Sequence, residues 1–471
     1  MAIQKVSVRS LLRAPIVGGI SIALLLNLFF WWYMVPEYHA ITLAHGNVAY
    51  NLYQSNRIGI NRQLKRELNQ RQGDRRILVD LQDVKDAACG VPDEPFPVND
   101  TVGYGILIGC LWKITHSLSF ADVIILQILL YLIMVFLIGK IGTALFGSTA
   151  IACYGVGGFL LYVPLIALNV HAVRDVWAAY GLIVLMYAII QYFFTSLHDK
   201  RSGMATLIVG SLFFSLCQWI RPSIFLAVIT FSVGLIAYAA LNRQRRARSA
   251  IGVSVMLIIN ILCFWVPFIY HNKYTYDRYF VSPAGQDLLE GLGEFNNPWG
   301  YQLSDEYVAQ LIEGTYGSRY GTPQFDDDAK TEFLKAYAQQ PGIFWKNIIK
   351  RVPMVVLPAL PWLFYSQSPY PDGLSALNKL RYVIMHPQAW IDFIVRHCYI
   401  RAYIILGYIG ILLLCWHRRW GIVMCMGAVL IASLAKLPSH IEYRYLTPYY
   451  WVLCFGIGYL INVLMHKRRS L

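Results

Sequence analysis

Trp31-Trp32-Tyr33-Met34-Val35-Pro36-Glu37-Tyr38-His39-Ala40 is the stretch on which the fold turns. An apolar run from Ala14 to Val35 ends at a Trp pair, and aromatic rings of this kind collect where hydrocarbon meets headgroups. The run has the ~20 residues that a spanning helix needs. Glu37 follows at once, on what reads as a new helix after Pro36. A carboxylate placed at a membrane surface is uncommon and points to function.

The rest of the chain has the same character. Of its 471 residues 57% are hydrophobic and only 14% charged, against about 25% charged in soluble domains; the mean hydropathy is +0.47. This is the composition of an all-α polytopic membrane protein. The formal charge of +14 is explained by Lys and Arg in cytoplasmic loops. No basic segment is interleaved with stacking aromatics, so nucleic acid is excluded as a partner. Most of the nine Cys lie inside apolar runs, and Cys89 and Cys398 lack metal-type spacing. The start (Lys5, Arg9, Arg13, then apolar residues) reads as a retained signal-anchor helix without a cleavage site.

Ten runs are long and apolar enough to span: 14–35, 120–143, 148–170, 176–197, 204–220, 223–241, 250–270, 398–416, 420–436 and 446–465. The run 103–115 reads as an interfacial helix, and 352–366 with 380–395 as a re-entrant or crossing pair, giving about 10–12 helices. Basic clusters at 198–201, 242–248, 417–419 and 466–469 are expected on the cytoplasmic side, with both termini. Two large non-cytoplasmic segments with juxtamembrane helices follow, 36–119 and 271–351, each expected to lack a core of its own. The chain therefore divides into a seven-span module (1–270), an outer region (271–351) and a C-terminal membrane region (352–471). Between Arg57 and Arg76 the first outer segment is rich in Arg, either resting on anionic headgroups or drawing in a phosphate-bearing lipid. No internal repeat is visible, which weighs against transporters built from repeats.

Parity brings one set of polar residues to the outer ends of the spans. They are Glu37, Arg174-Asp175, Arg221-Pro222, Lys273, and the run Glu442-Tyr443-Arg444-Tyr445 entering the last span. Each has an ordinary role open to it: a helix-start carboxylate, a snorkelling Arg, a local Glu442–Arg444 pair or an aromatic belt. Their arrival at one face suggests a shared cleft.

At this point the order of elements resembles the GT-C membrane glycosyltransferases, the superfamily of protein O-mannosyltransferases and bacterial lipid A aminoarabinose transferases. The resemblance runs nearly the whole length. It is carried by Glu37 with Ala40, Ala44 and Gly46 behind it, by Asn99-Asp100-Thr101-Val102-Gly103-Tyr104 leading to Trp112-Lys113, and by Leu145-Phe146-Gly147. Gln218-Trp219-Ile220-Arg221-Pro222, Gln340-Pro341-Gly342 and Glu442-Tyr443-Arg444-Tyr445-Leu446-Thr447-Pro448 complete it, the last being the most specific. Members often carry an acidic pair after the first span, whereas here Pro36 takes the first place. The base is then Glu37, or Asp93 or Glu94 from the same segment.

The resemblance implies transfer of a monosaccharide from a polyprenyl-phosphate donor to a hydroxyl of a glycan, lipid or protein on the outer face of a bacterial inner membrane. A carboxylate would take the acceptor's proton, and Arg444, Arg221 and Lys273 would hold the leaving phosphate. Single displacement would invert the anomeric centre. No cofactor is called for, although Glu37 with Asp175 offers oxygen ligands for a divalent ion. The competing classes are a lipid or lipid-linked glycan flippase and an envelope oligosaccharide polymerase or ligase.

Overall fold

The computed structural model describes residues 13–34, 40–61, 102–194, 200–241, 246–281, 284–358, 398–441 and 443–469, with single positions at 378, 382 and 385. Every described element is a helix. The membrane part opens with α1 (Arg13–Met34), α2 (Ala40–Ser55), α3 (Val102–Thr115) and α4 (Ala121–Phe146). It continues through α5 (Thr149–Leu160), α6 (Val163–Asn169), α7 (Asp175–Phe194), α8 (Lys200–Ile220), α9 (Phe225–Leu241) and α10 (Arg246–Asn260). A π-turn over Ile261–Trp265 joins α10 to α11 (Val266–Tyr276), where Pro267 has no N–H to offer the ladder.

Five helices among the described residues are long and apolar enough to cross a membrane, and α5 with α6 passes the same test only as a pair bent by 57°, a broken span or a re-entrant loop. The bend has a local cause, because Pro164 starts α6 and cannot donate back to α5. Shorter apolar helices cover the remaining expected spans, over Val17–Trp32, Ile400–Trp416, Trp420–Lys436 and Leu453–His466. The chain is thus the all-α polytopic protein its hydropathy implies. The last span is interrupted: α18 (Tyr443–Tyr450) stops at Trp451-Val452 before α19 (Leu453–Arg469), with Pro448 inside the first piece. Helix α19 crosses α16 (Ile400–Trp416) at glycine on both sides. A Cβ on Gly410 would stand 1.9 Å from the Gly456 carbonyl oxygen, the close approach that membrane helices obtain from small residues. Helix α3, expected to lie at the interface, packs one face on the protein through Tyr104, Ile108 and Trp112 and is too short to count among the spans.

One set of polar groups inside the bundle is joined in a network, which offsets the cost of burying them. Asn169 donates to Asn27 Oδ1 at 2.6 Å. Gln127 donates to the carbonyls of Asn169 and His171, both at 2.8 Å. Its own Oε1 accepts from Tyr104 (3.2 Å) and Trp177 Nε1 (3.1 Å). These bonds fix the turn between α6 and α7, which carries Arg174 and Asp175.

Residues 284–356 form a separate helical unit of α12 (Ala284–Gly293), α13 (Asp305–Tyr316), α14 (Pro323–Gln339) and α15 (Pro341–Val356). Ser304 and Thr322 cap α13 and α14, accepting from the N–H of Tyr307 and Phe325. Here the expectation of no independent core is overturned. Leu289, Leu292, Val308, Ile312, Phe325 and Phe333 are buried together, apart from the bundle core. A small core suffices because aromatic side chains each bury a large area.

Candidate functional site

The site is built on two helix ends. Asp175 opens α7, where the helix dipole favours a carboxylate, and it is 1% exposed. Arg221 follows the last residue of α8 and precedes Pro222, which pushes it out of helical geometry into an extended one (φ −141°, ψ 87°). That turn brings Arg221 Nε to 3.1 Å from Asp175 Oδ1, with both side chains buried. Arg174, itself buried, sits beside the pair.

The segment between α17 (Trp420–Ser433) and α18 faces this pair. The Arg221 guanidinium lies over the Tyr445 ring at 4.4 Å, and Lys436 Nζ lies 4.9 Å from the same ring. Lys436 feels the fields of Asp287, Arg221, Asp175 and Arg174 together. His45 of α2, fully buried, packs edge-on against Tyr104 at 5.1 Å. Burial and Arg174, with Arg221, hold its imidazole well below the ordinary histidine range against the opposing pull of Asp175. His45 is therefore neutral at physiological pH. The described part of the cluster carries more positive than negative charge, in a partly water-excluded place. A guanidinium oriented by a carboxylate and stacked on a ring is well suited to a phosphate.

The 284–356 unit attaches beside this cluster. Arg351, fully buried, donates to Glu294 Oε2 (2.6 Å), to the Leu437 carbonyl (3.0 Å) and to the Gly291 carbonyl. Gly291 packs closely here, since a Cβ would stand 3.0 Å from the Ser439 carbonyl carbon. His440 Nδ1 lies 3.1 Å from Glu290 Oε2 and its ring meets Tyr445 at 5.9 Å. Burial and the neighbouring Asp305 push the Glu290 carboxyl up to about 10. The Glu290 carboxyl therefore favours its protonated form where it meets the His440 imidazole. One oxygen or nitrogen each of Asp287, Glu290 and His440 lies within 4.8 Å of the others.

Of the residues expected from sequence, Arg174, Asp175, Arg221 and Tyr445 come together. Lys273 does not join them: it is exposed and pairs with Asp277 on its own helix end at 2.5 Å. Tyr443 and Arg444 lie on the first turn of α18. Glu37, Asp93, Glu94, Glu442 and most of the Arg-rich stretch lie outside the described residues. Sequence reasoning passed over His45, Lys436, Glu290 and Arg351. Only Lys436 left a signal, a lone cation closing an apolar run.

No protein-family model matches the sequence, nor does any curated protein. Among solved structures, the chain is similar to the oligosaccharyltransferase of Archaeoglobus fulgidus in complex with Zn and sulfate. The TM-score is 0.53 at 11% identity, over 97% of this chain and 50% of that one. The fold is GT-C-like. The apo form of the same enzyme aligns at TM-score 0.48 and 13% identity. The chain spans about half the length of these structures.

Proposed function

We propose that this protein is a GT-C-type glycosyltransferase that moves a monosaccharide from a polyprenyl-phosphate donor to an acceptor hydroxyl at the outer face of a bacterial inner membrane. The observation that carries the reading is the buried Arg221–Asp175 pair capped by Tyr445 and Lys436. A phosphate leaving group gains negative charge as the glycosidic bond breaks, and oriented cations stabilise that charge most strongly where water is excluded. Asp175 holds the guanidinium in place, so little reorganisation is needed when the charge develops.

The acceptor's proton goes to a carboxylate, for which Glu37 is the first choice and Asp93 or Glu94 the alternatives. Attack from the face opposite the phosphate inverts the anomeric centre. Tyr445, with Tyr443 and Arg444 beside it in sequence, offers a ring on which the sugar can stack. The acceptor is a glycan, a lipid or a protein hydroxyl.

The test compares envelope glycolipids and glycoproteins by mass spectrometry in cells with the gene, without it, and with a Glu37→Gln allele. One glycoform is expected to disappear in both altered strains. Identical profiles with and without the gene would sink the transferase reading. A Glu37→Gln profile matching wild type, with the deletion differing, would move the base to Asp93 or Glu94.

A further inference from the structure

We propose that Asp287, Glu290 and His440 form a binding site for a divalent cation of the zinc class, clamping the 284–356 unit to the segment before the last span. The inference does not depend on the transferase reading, because it rests on three side chains and their supports.

The donors come from two places far apart in the chain. Asp287 and Glu290 are one helical turn apart on α12, so they share a face, and His440 reaches them from the segment after α17. Their donor atoms lie within 4.8 Å of one another. Ligand bonds of about 2.0–2.2 Å from imidazole nitrogen and carboxylate oxygen would close around one ion after shifts of about an ångström or less. Glu290 and His440 are 2% and 7% exposed, so an ion there would be shielded from bulk water.

The supports have the form of an outer ligand shell. Gln286 Nε2 donates to Glu290 Oε1 at 2.8 Å and to Asp305 Oδ1 at 3.1 Å. That leaves Glu290 Oε2 turned towards His440 Nδ1. Outer-shell bonds of this kind orient ligands and raise metal affinity. The backbone leading into His440 is fixed by other means: Arg351 holds the Leu437 carbonyl, and Gly291 packs against Ser439. The spacing between α12 and His440 is therefore set in advance and is not left to the ion. Two oxygens and one imidazole, with a fourth position for water, suit zinc better than calcium or magnesium. Such a site would tie the 284–356 unit to the cluster around Tyr445, since His440 touches that ring.

The experiment uses the full-length protein in nanodiscs, stripped with chelator and then titrated with Zn2+. Bound metal is read by mass spectrometry and unfolding temperature by intrinsic fluorescence. Wild type is expected to bind about one ion per chain and to unfold at a higher temperature with it. Asp287→Asn and His440→Ala are expected to weaken binding about 100-fold or more, and Gln286→Ala about 10–100-fold. Should His440→Ala fail to fold, Asp287→Asn and Gln286→Ala decide the matter. No saturable uptake by wild type, or unchanged affinity in Asp287→Asn and Gln286→Ala, overturns the site. Neither readout involves sugar transfer, so a failed transferase assay leaves the result intact.

Discussion

The cluster at the end of the bundle and the 284–356 unit beside it treat charge in opposite ways. In the bundle, Arg221 is paired and buried but still presents its guanidinium to an aromatic ring, with Lys436 on the same ring. In the helical unit, Arg351 spends all three of its nitrogens on Glu294 and two backbone carbonyls. One arginine lies against an aromatic ring beside a second cation, whereas the other ties a carboxylate and two backbone carbonyls together. Burial alone therefore does not distinguish the two. Their surroundings do, a ring shared with Lys436 in one case and backbone carbonyls in the other.

Mutations at the two arginines should therefore separate activity from attachment. Arg221→Ala is expected to lower sugar transfer by about 10²–10³-fold, the cost of removing one donor aimed at developing charge. Radiolabelled polyprenyl-phosphate sugar in proteoliposomes gives the measurement, and a loss under tenfold would make Arg221 a structural partner only. Arg351→Ala should instead destabilise the attachment by about 3–5 kcal/mol, because it leaves Glu294 buried without its cation. Hydrogen exchange should rise across residues 284–356 while α7 and α8 stay protected; uniform deprotection would show that the two regions unfold together.

A third change sharpens the contrast within the unit. Glu332 accepts from Tyr316 (2.7 Å) and Tyr301 (2.9 Å). Burial raises its pKa, but these bonds and Lys335 outweigh it, so the net shift is downward. The sign follows: the carboxylate contributes stability above the ordinary glutamate range, and that contribution is lost as pH falls through the folded value. Glu332→Gln should cost about 1.5–3 kcal/mol at neutral pH and flatten the acid limb of a melting-temperature profile. An unchanged acid limb would assign that limb to other carboxylates. Smallest of all, Lys273→Ala should leave stability within about 0.5 kcal/mol and transfer near wild type, and a large loss of transfer would restore Lys273 to the site.

Much of the fold is legible in hydropathy, because lipid leaves helices as nearly the only option for a spanning segment. Asp175 and Arg221 are legible for a related reason, since a charge at the end of an apolar run has few places to go. The core of the 284–356 unit is not, because Leu289, Ile312, Phe325 and Phe333 are spread over amphipathic helices of ordinary soluble composition. Arg351 and Glu290 escape for another reason. Their meaning depends on contacts with residues 437–440, a separation in sequence that no local pattern encodes. The kink at α5–α6 lies between, since Pro164 announces a break but not its angle.

The hydrogen bond between Asn27 and Asn169 has a consequence for biogenesis. Asn27 belongs to α1, yet its partner is made 142 residues later. Until then that helix carries an amide with no distant partner, and its side chain bonds back to the Ala23 carbonyl one turn away. The bond that ties α1 to the turn before α7 can form only after that turn is synthesised. Ribosome-bound nascent chains truncated before and after that turn, cross-linked from position 27, would time the capture.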